Sequence, residues 1–458
     1  MFTTLFRLFQ GQKAFDSMPG PPPFPLLGNV LDFIGKTDRP WEVFAEYGRK
    51  HGGMCVFWTF GEPAVVLNDA ALIEELLVTR REHFYKDSPC PELVPVLTMS
   101  SPNINNGEAW TKLHDIAPLV QPYAREWMER QRTPVLEHVR ARARELAAVA
   151  VDKPFMVLPE TEKLMFDCFS LGAIGRVLPQ SAYDDFMRVA TYGSDRMKAS
   201  GTPSAELPPD GRDARERWID EFSFAIKNDR AKPRANAWDL LATVLRHGTT
   251  LDDRDLAAEL GNIFYGGDFS GPSTLVSALW LLTQHPAEAA KLRAALGALD
   301  GSVASLMACT ALDQVLREAM RLLPAVTLWG RRVLPDAPTT LGGRELPAHT
   351  KIYLTSWRLH RDATVYPDPD AFRPERWTPE LVAKSPYAGS GYFFPLGMGP
   401  RTCLGGHYVV FLLKLMLSEL AGPFEVTCGK DQPYDAGQTF FFGTRMPAGL
   451  KATVRSTP

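Results

Sequence analysis

Apolar runs long enough to cross a bilayer are missing from this sequence: none reaches the roughly 18 residues a membrane helix needs. Met1–Gln12 also lacks the long apolar centre and small-residue cleavage site of a secretory signal. Basic residues are not in excess. The net charge of −3 offers no basic surface for nucleic acid. Cysteine is sparse, with six thiols at positions 55, 90, 168, 309, 403 and 428 and no paired spacing. That fits reduced thiols better than a disulfide framework and leads us to expect a reducing, cytoplasmic setting. No internal repeat or disordered mid-chain linker is visible.

What the chain does have is apolar content, 45 % of its residues, enough for one large core. Phe2, Leu5, Phe6 and Phe9 recur at i, i+3, i+4 and i+7, one face of a helix. Residues 1–17 therefore read as an N-terminal amphipathic segment, which either rests on a membrane surface through residues 2–9 or packs on its own domain. The proline-rich stretch Met18–Asn29 cannot continue that helix. Met54–Ala70 reads as two strands around a Gly-Glu-Pro turn. Helical periodicity fills about 70–323, short β-like runs follow, and an apolar helix over 404–420 precedes a β-like tail. The pattern predicts a mainly α fold with small β-sheets, one large domain over 18–458.

Two stretches carry chemistry. In Glu259–Pro286, Leu260, Ile263, Phe264, Leu275, Leu279 and Leu282 keep a helical pattern. In its middle, Gly266, Gly267 and Gly271 each cost about 1 kcal/mol relative to alanine. Pro272 adds about 3 kcal/mol, removes an N–H and collides with the carbonyl of Asp268. This predicts a helix interrupted at 266–272 that presents backbone carbonyls, Asp268 and Ser270 to water or a ligand. An ordinary turn between two helices is the competing reading.

The other stretch is "PLGMGPRTCLGG", Pro395–Gly406. Gly397 and Gly399 let backbone approach a flat ligand closely. Helical patterning begins just after Cys403, and a helix N-terminus favours the thiolate. Arg401 suits a carboxylate of a bound cofactor. The arrangement fits a cysteinate giving one axial bond to the metal of a planar macrocycle. On the residues alone, a zinc ion shared with His407 and a buried inert cysteine stay open. Elsewhere, Glu318 and Arg321 stand one helical turn apart, and Arg376 could join them to pin irregular chain onto a helix. Trp110 and His114, also one turn apart, can both donate to an anion.

In these residues the sequence resembles the cytochrome P450 family: Gly397-Met-Gly399-Pro-Arg401-Thr-Cys403-Leu-Gly405, Glu318-Ala-Met-Arg321 and Pro374-Glu375-Arg376-Trp377, with Trp110 before them and the order kept over roughly 18–425. The resemblance implies haem b (iron protoporphyrin IX) held by Cys403 as axial ligand of the iron. It implies haem carboxylates met by Trp110, Arg331 and Arg401, with Arg332 as rival to Arg331. It also implies a structural network of Glu318, Arg321 and Arg376. Three positions depart from the family pattern. Leu396 replaces a phenylalanine, His114 replaces an arginine at a haem carboxylate, and Phe269-Ser270 replaces an acid–threonine pair, with Asp268 one residue earlier.

The function implied is a haem-thiolate monooxygenase acting on an apolar small molecule. Asp268 and Ser270 would deliver protons, and a separate ferredoxin or flavoprotein reductase would supply electrons. Lys112, His114, Arg125, Arg317 and Lys414 are candidates for the surface on which that reductase docks. The altered acid–alcohol pair raises an alternative, a reductase-independent peroxygenase or peroxide isomerase or dehydratase. A gas-binding haem protein without turnover is a third reading.

Overall fold

The computed structural model of the protein describes residues 12–37, 39–87, 106, 107, 110, 124–150, 154–198, 207–429 and 450–456. Its longer helices are α1 (Pro40–His51), α2 (Ala124–Ala150), α3 (Val157–Ile174), α4 (Gln180–Lys198), α5 (Pro209–Ala231), α6 (Leu240–His247), α7 (Asp253–Gln284), α8 (Pro286–Leu296), α9 (Thr310–Leu322) and α10 (Gly406–Ala421). The strands are β1 (Met54–Thr59), β2 (Glu62–Leu67), β3 (Phe84–Lys86), β4 (Phe155–Met156), β5 (Leu328–Val333), β6 (Thr339–Leu341), β7 (Arg344–Leu346), β8 (Lys351–Thr355), β9 (Phe424–Cys428) and β10 (Lys451–Ser456). The mainly α class with small sheets is the one the sequence predicts.

The chain divides into two compact units, each drawing on separate stretches of sequence. The first takes Met1–Pro89, Met320–Gly406 and Ala436–Arg445. Its centre is a five-stranded sheet in the order β1-β2-β8-β5-β3. Strands β2 and β8 run parallel, and the other pairs are antiparallel. Val65, Leu67, Ile352 and Leu354 are fully buried in one apolar cluster, and Phe44 and Phe57 pack with Val66 and Leu328 in another. Strands covered on both faces read as continuous apolar runs, which is how "AVVL" looks in the sequence. The β1–β2 turn is Phe60-Gly61 and not Gly-Glu-Pro: Thr59 pairs with Glu62, and both turn residues have positive φ, 48° and 88°. Pro63 is accommodated because β8 pairs with β2 only from Ala64 onward.

The second unit takes Cys90–Ala319, His407–Asp435 and Met446–Pro458. It is a helical assembly around α7. Asp252 caps that helix, its carboxylate accepting from the Asp255 amide at 2.8 Å. Phe166, Phe186, Trp218, Phe222 and Phe264 interlock from α3, α4, α5 and α7 with ring centroids 4.8–6.4 Å apart. Each buried ring stabilises the unit by about 1.5–3 kcal/mol.

The interruption expected at 266–272 does not occur; α7 is continuous from Asp253 to Gln284 with Pro272 inside it. Two features explain this. A Cβ on Gly267 would lie 2.3 Å from the ring of Phe169, and one on Gly271 would lie 3.0 Å from Met165. These glycines therefore let α3 pack closely on α7, and the apolar burial gained outweighs their poor helix propensity. Hydroxyls also back-bond along the helix: Ser270 donates to the Gly266 carbonyl at 2.9 Å, and Thr274 donates to the Ser270 carbonyl at 2.8 Å.

Candidate active site

In the first unit, the Cys403 loop is built from backbone bonds. The Gly397 amide donates to the Phe394 carbonyl at 3.0 Å, the Cys403 amide to the Leu396 carbonyl at 2.8 Å, and the Gly406 amide to the Cys403 carbonyl at 3.1 Å. Gly397 and Gly399 both adopt left-handed backbone, φ 81° and 69°. At Gly399 a Cβ would also come within 2.4 Å of the Leu77 carbonyl. The loop thus requires glycine for chain geometry as well as for access.

Cys403 is open to solvent, whereas Cys55, Cys168, Cys309 and Cys428 are buried. Burial nevertheless pushes the Cys403 thiol pKa up, against the lowering effects of the Gly405 amide and of Lys86. The sulfur is thus reachable from solvent while much of its surroundings is protein. Desolvation therefore opposes the helix-terminus effect that the sequence pointed to.

Cations gather beside that sulfur. Lys86 on β3 and Arg331 on β5 are register partners. Burial pushes the Lys86 ammonium down to about 7, with Arg331 and Arg401 repelling it and Cys403 opposing the shift. Arg331 is lowered to about 10 by burial and by Arg401, and Arg401 to about 10 by burial. Arg332 turns elsewhere, donating to Asp87 at 3.0 and 2.8 Å. Of the two neighbours, Arg331 is thus the one that stands near Lys86 and Arg401. Lys86 is missed by sequence reasoning; only the strand register reveals it.

Behind the loop lies a second layer. Arg321 is fully buried and donates to the carbonyls of His360 (2.8 Å), Pro369 (2.6 Å) and Ala371 (3.3 Å). Arg376 donates to Pro367 (2.7 Å), Asp368 (3.1 Å) and Ala371 (3.2 Å). Glu318, also fully buried, sits one turn before Arg321 on α9. His360 is a second residue the sequence did not single out. Its Nε2 accepts from the Phe394 amide at 3.1 Å, and burial, with Arg321 and Arg361 nearby, lowers its pKa to about 3. His360 therefore joins the arginine layer to the start of the cysteine loop.

In the second unit, Ile263, Gly266 and Ser270 form one stripe of α7 that is not buried. No atom lies within 4 Å of where a Cβ on Gly266 would be. Phe269, at the position where the resemblance implies an acid, is buried against Phe186 with ring centroids 5.9 Å apart. Position 268 lies two residues from 270, about 200° around an unbroken helix. The relay expected from sequence thus loses the helix break it depended on, and the side chain of Asp268 lies outside the described residues.

Two further expectations are corrected. Lys414 and Arg317 are buried and both bind Asp313, at 2.9 and 2.5 Å. They are interior ion-pair partners and not a docking surface. His114, Lys112 and the side chain of Arg125 lie outside the described residues. Trp110 is half-buried in a helical turn of the second unit, its amide bonded to the Asn106 carbonyl at 3.4 Å. Among the described residues no three His, Cys, Asp or Glu side chains gather as a metal site, so a zinc ion at Cys403 and His407 lacks its other ligands.

A solvent-reachable thiol in a glycine loop, with Lys86 near it and Arg331 and Arg401 near Lys86, has the donor chemistry that suits a metal and an anionic cofactor. The family model for cytochrome P450 matches residues 18–131 and 209–448. The chain belongs to the cytochrome P450 family. It is 24 % identical over 484 residues to Cytochrome P450 3A6 of Oryctolagus cuniculus, covering 96 % of this chain and 92 % of that protein. It is 24 % identical over 453 residues to Probable cytochrome P450 4s3 of Drosophila melanogaster, covering 92 % and 88 %. Over 216 residues it is 30 % identical to Cyclooctatin synthase of Streptomyces melanosporofaciens, covering 45 % and 44 %. Membership makes it a haem-thiolate oxidoreductase of monooxygenase type with haem b as cofactor. The residues present fit that group: one reachable thiol, and cations suited to two carboxylates. No helix among the described residues is long and apolar enough to cross a membrane.

Proposed function

We propose that the protein inserts one oxygen atom of dioxygen into an apolar small molecule, with electrons from a separate ferredoxin or flavoprotein reductase. The observation that carries this reading is the Cys403 thiol, open to solvent beside Lys86, Arg331 and Arg401. Bound haem supplies the iron at which oxygen is activated. Cys403 is assigned as its axial ligand, and Gly397 allows the loop to approach the ring. Lys86, Arg331 and Arg401 hold its carboxylates, joined by Trp110 and His114 on the strength of the family pattern. Ser270 exchanges its bond to the Gly266 carbonyl for one to water and passes a proton on. Asp268, directly or through water, feeds that relay. The stripe of Ile263 and Gly266 offers an apolar substrate contact with room beside it. Residues 2–9 rest on a membrane surface as a peripheral contact.

Phe269 favours a second reading, a peroxygenase or peroxide isomerase or dehydratase, because such enzymes have less need of an acid at that position. The purified holoenzyme separates the two. Product formed with reductase and dioxygen, and not with hydrogen peroxide alone, is the expected result. Turnover with peroxide and none with reductase would replace the first reading by the second.

A further inference from the structure

The Cys403 loop holds two glycines in left-handed backbone, Gly397 and Gly399, and glycine has the most conformational freedom to lose. The loop's bonds to itself fix its shape but not its position. The Gly397 amide donates to the Phe394 carbonyl and the Cys403 amide to the Leu396 carbonyl, so both acceptors lie in the segment that leads into the loop. That segment needs an anchor outside itself. Phe393 is tied close by, its amide and carbonyl both pairing with Ser390, at 3.0 and 2.8 Å. The Phe394 amide reaches further. It belongs to a fully buried residue and donates to Nε2 of His360, 34 positions earlier, at 3.1 Å. A buried amide must be paired, and here the acceptor is a side chain.

His360 is itself fixed. It ends the helical turn Ser356–Leu359 that follows β8, its amide donating to the Ser356 carbonyl at 2.8 Å. Its carbonyl accepts from Arg321 at 2.8 Å, and the Met320 and Arg321 carbonyls of α9 lie beside its ring. The rings of Phe393 and Phe394 both stand 5.4 Å from the imidazole, at 32° and 77°, which leaves it little room to turn. An Nε2 that accepts an N–H carries no proton, so the ring is neutral with its hydrogen on Nδ1. An apolar residue would fill the same space but would leave the Phe394 amide unpaired.

We propose that His360 is a positioning residue for the cysteine ligand: it anchors Phe394, Phe394 anchors Gly397, and the Cys403 sulfur is thereby held where thiolate ligation of the haem iron requires it. Groups behind a metal ligand orient it, and their loss weakens ligation without removing a ligand. The inference rests on Cys403 as the axial ligand and adds a residue that acts on it through the backbone.

The test is a graded series in the holoprotein at equal haem content. His360→Gln carries an acceptor oxygen at the reach of Nε2, His360→Asn sets it back by one methylene, and His360→Leu has none. Reduced, carbon monoxide-treated samples in dilute urea are read for the rate at which the red-shifted band of thiolate ligation converts to the shorter-wavelength band of lost thiolate ligation. The rate should stay within about twofold of wild type in His360→Gln and rise about tenfold in His360→Leu, the scale of a buried amide losing its acceptor, with His360→Asn between them. Tyr366→Phe controls for stability alone. It removes another bond of the same buried layer, from the Tyr366 hydroxyl to the Tyr392 carbonyl at 3.1 Å, and should lower the unfolding midpoint without quickening conversion. If His360→Leu does not fold, the order of His360→Gln and His360→Asn decides. Equal rates across the His360 variants that fold overturn the proposal. A Tyr366→Phe rate as fast as that of His360→Asn also overturns it, since the histidine then serves stability only. If the thiolate band survives in Cys403→Ala, the ligand assignment falls and this inference with it; equal His360 rates with the band lost in Cys403→Ala overturn this inference alone.

Discussion

Arg321 and Arg376, on separate parts of the chain, donate to the same acceptor, the carbonyl of Ala371, at 3.3 and 3.2 Å. A guanidinium fork can serve several carbonyls at once, and an ammonium cannot reproduce that geometry. Arg376→Lys is therefore expected to cost about 1–3 kcal/mol. Denaturant titration of the holoprotein checks this; an unchanged midpoint would show that the shared carbonyl contributes nothing.

His360 makes stability depend on pH. Its pKa falls from the usual 6.5 to about 3 in the fold. The unfolded chain takes up a proton below 6.5, and the folded chain does not until about 3. The stabilisation is thus fully present above 6.5 and is lost on acidification by up to about 1.4 kcal/mol per pH unit. His360→Asn keeps an oxygen for the Phe394 amide and removes the titration. Denaturation curves at pH 7, 6 and 5 should show a shallower loss in the variant than in wild type; parallel losses would contradict the assignment.

The two adjacent glycines of α7 should respond in opposite directions. Gly267→Ala drives a methyl into Phe169 and is expected to destabilise by about 1–3 kcal/mol. Gly266→Ala meets open space and improves helix propensity, for a gain of up to about 1 kcal/mol. Thermal melts of the two variants give the answer. Equal shifts would mean that α3 and α7 do not approach as closely as described.

Lys86 and Arg331 should hold haem, and Arg332 should not. Lys86→Met and Arg331→Met are expected to speed haem transfer to an acceptor protein about tenfold each, roughly 1.4 kcal/mol. Arg332→Met, which breaks the pair with Asp87, should leave the rate near that of wild type. Equal effects at Arg331 and Arg332 would remove the distinction drawn between them.

Much of the site lies in short stretches and is readable there. The glycine spacing around Cys403, the Glu318–Arg321 turn and Arg376 all stand within local motifs. What escaped depends on partners distant in sequence. Lys86 becomes a site residue only because β3 pairs with β5, some 245 residues away in the chain. His360 matters because it meets Phe394. The expected break in α7 failed for the same reason: propensity counted the cost of Gly267 and Gly271 but could not show that Phe169 and Met165 fill the space. Lys414 looked like a surface charge because its partner Asp313 is distant in sequence, and the i,i+4 spacing of Asp313 and Arg317 does not by itself show that the pair is buried.

The central claim is that the Cys403 sulfur binds the haem iron. Its most direct test is the absorption spectrum of the reduced, carbon monoxide-treated holoprotein, compared between wild type and Cys403→Ala at equal haem content. The strongly red-shifted band of thiolate ligation should be present in wild type and absent from the variant. Its persistence in Cys403→Ala, or its absence from haem-loaded wild type, would contradict the account.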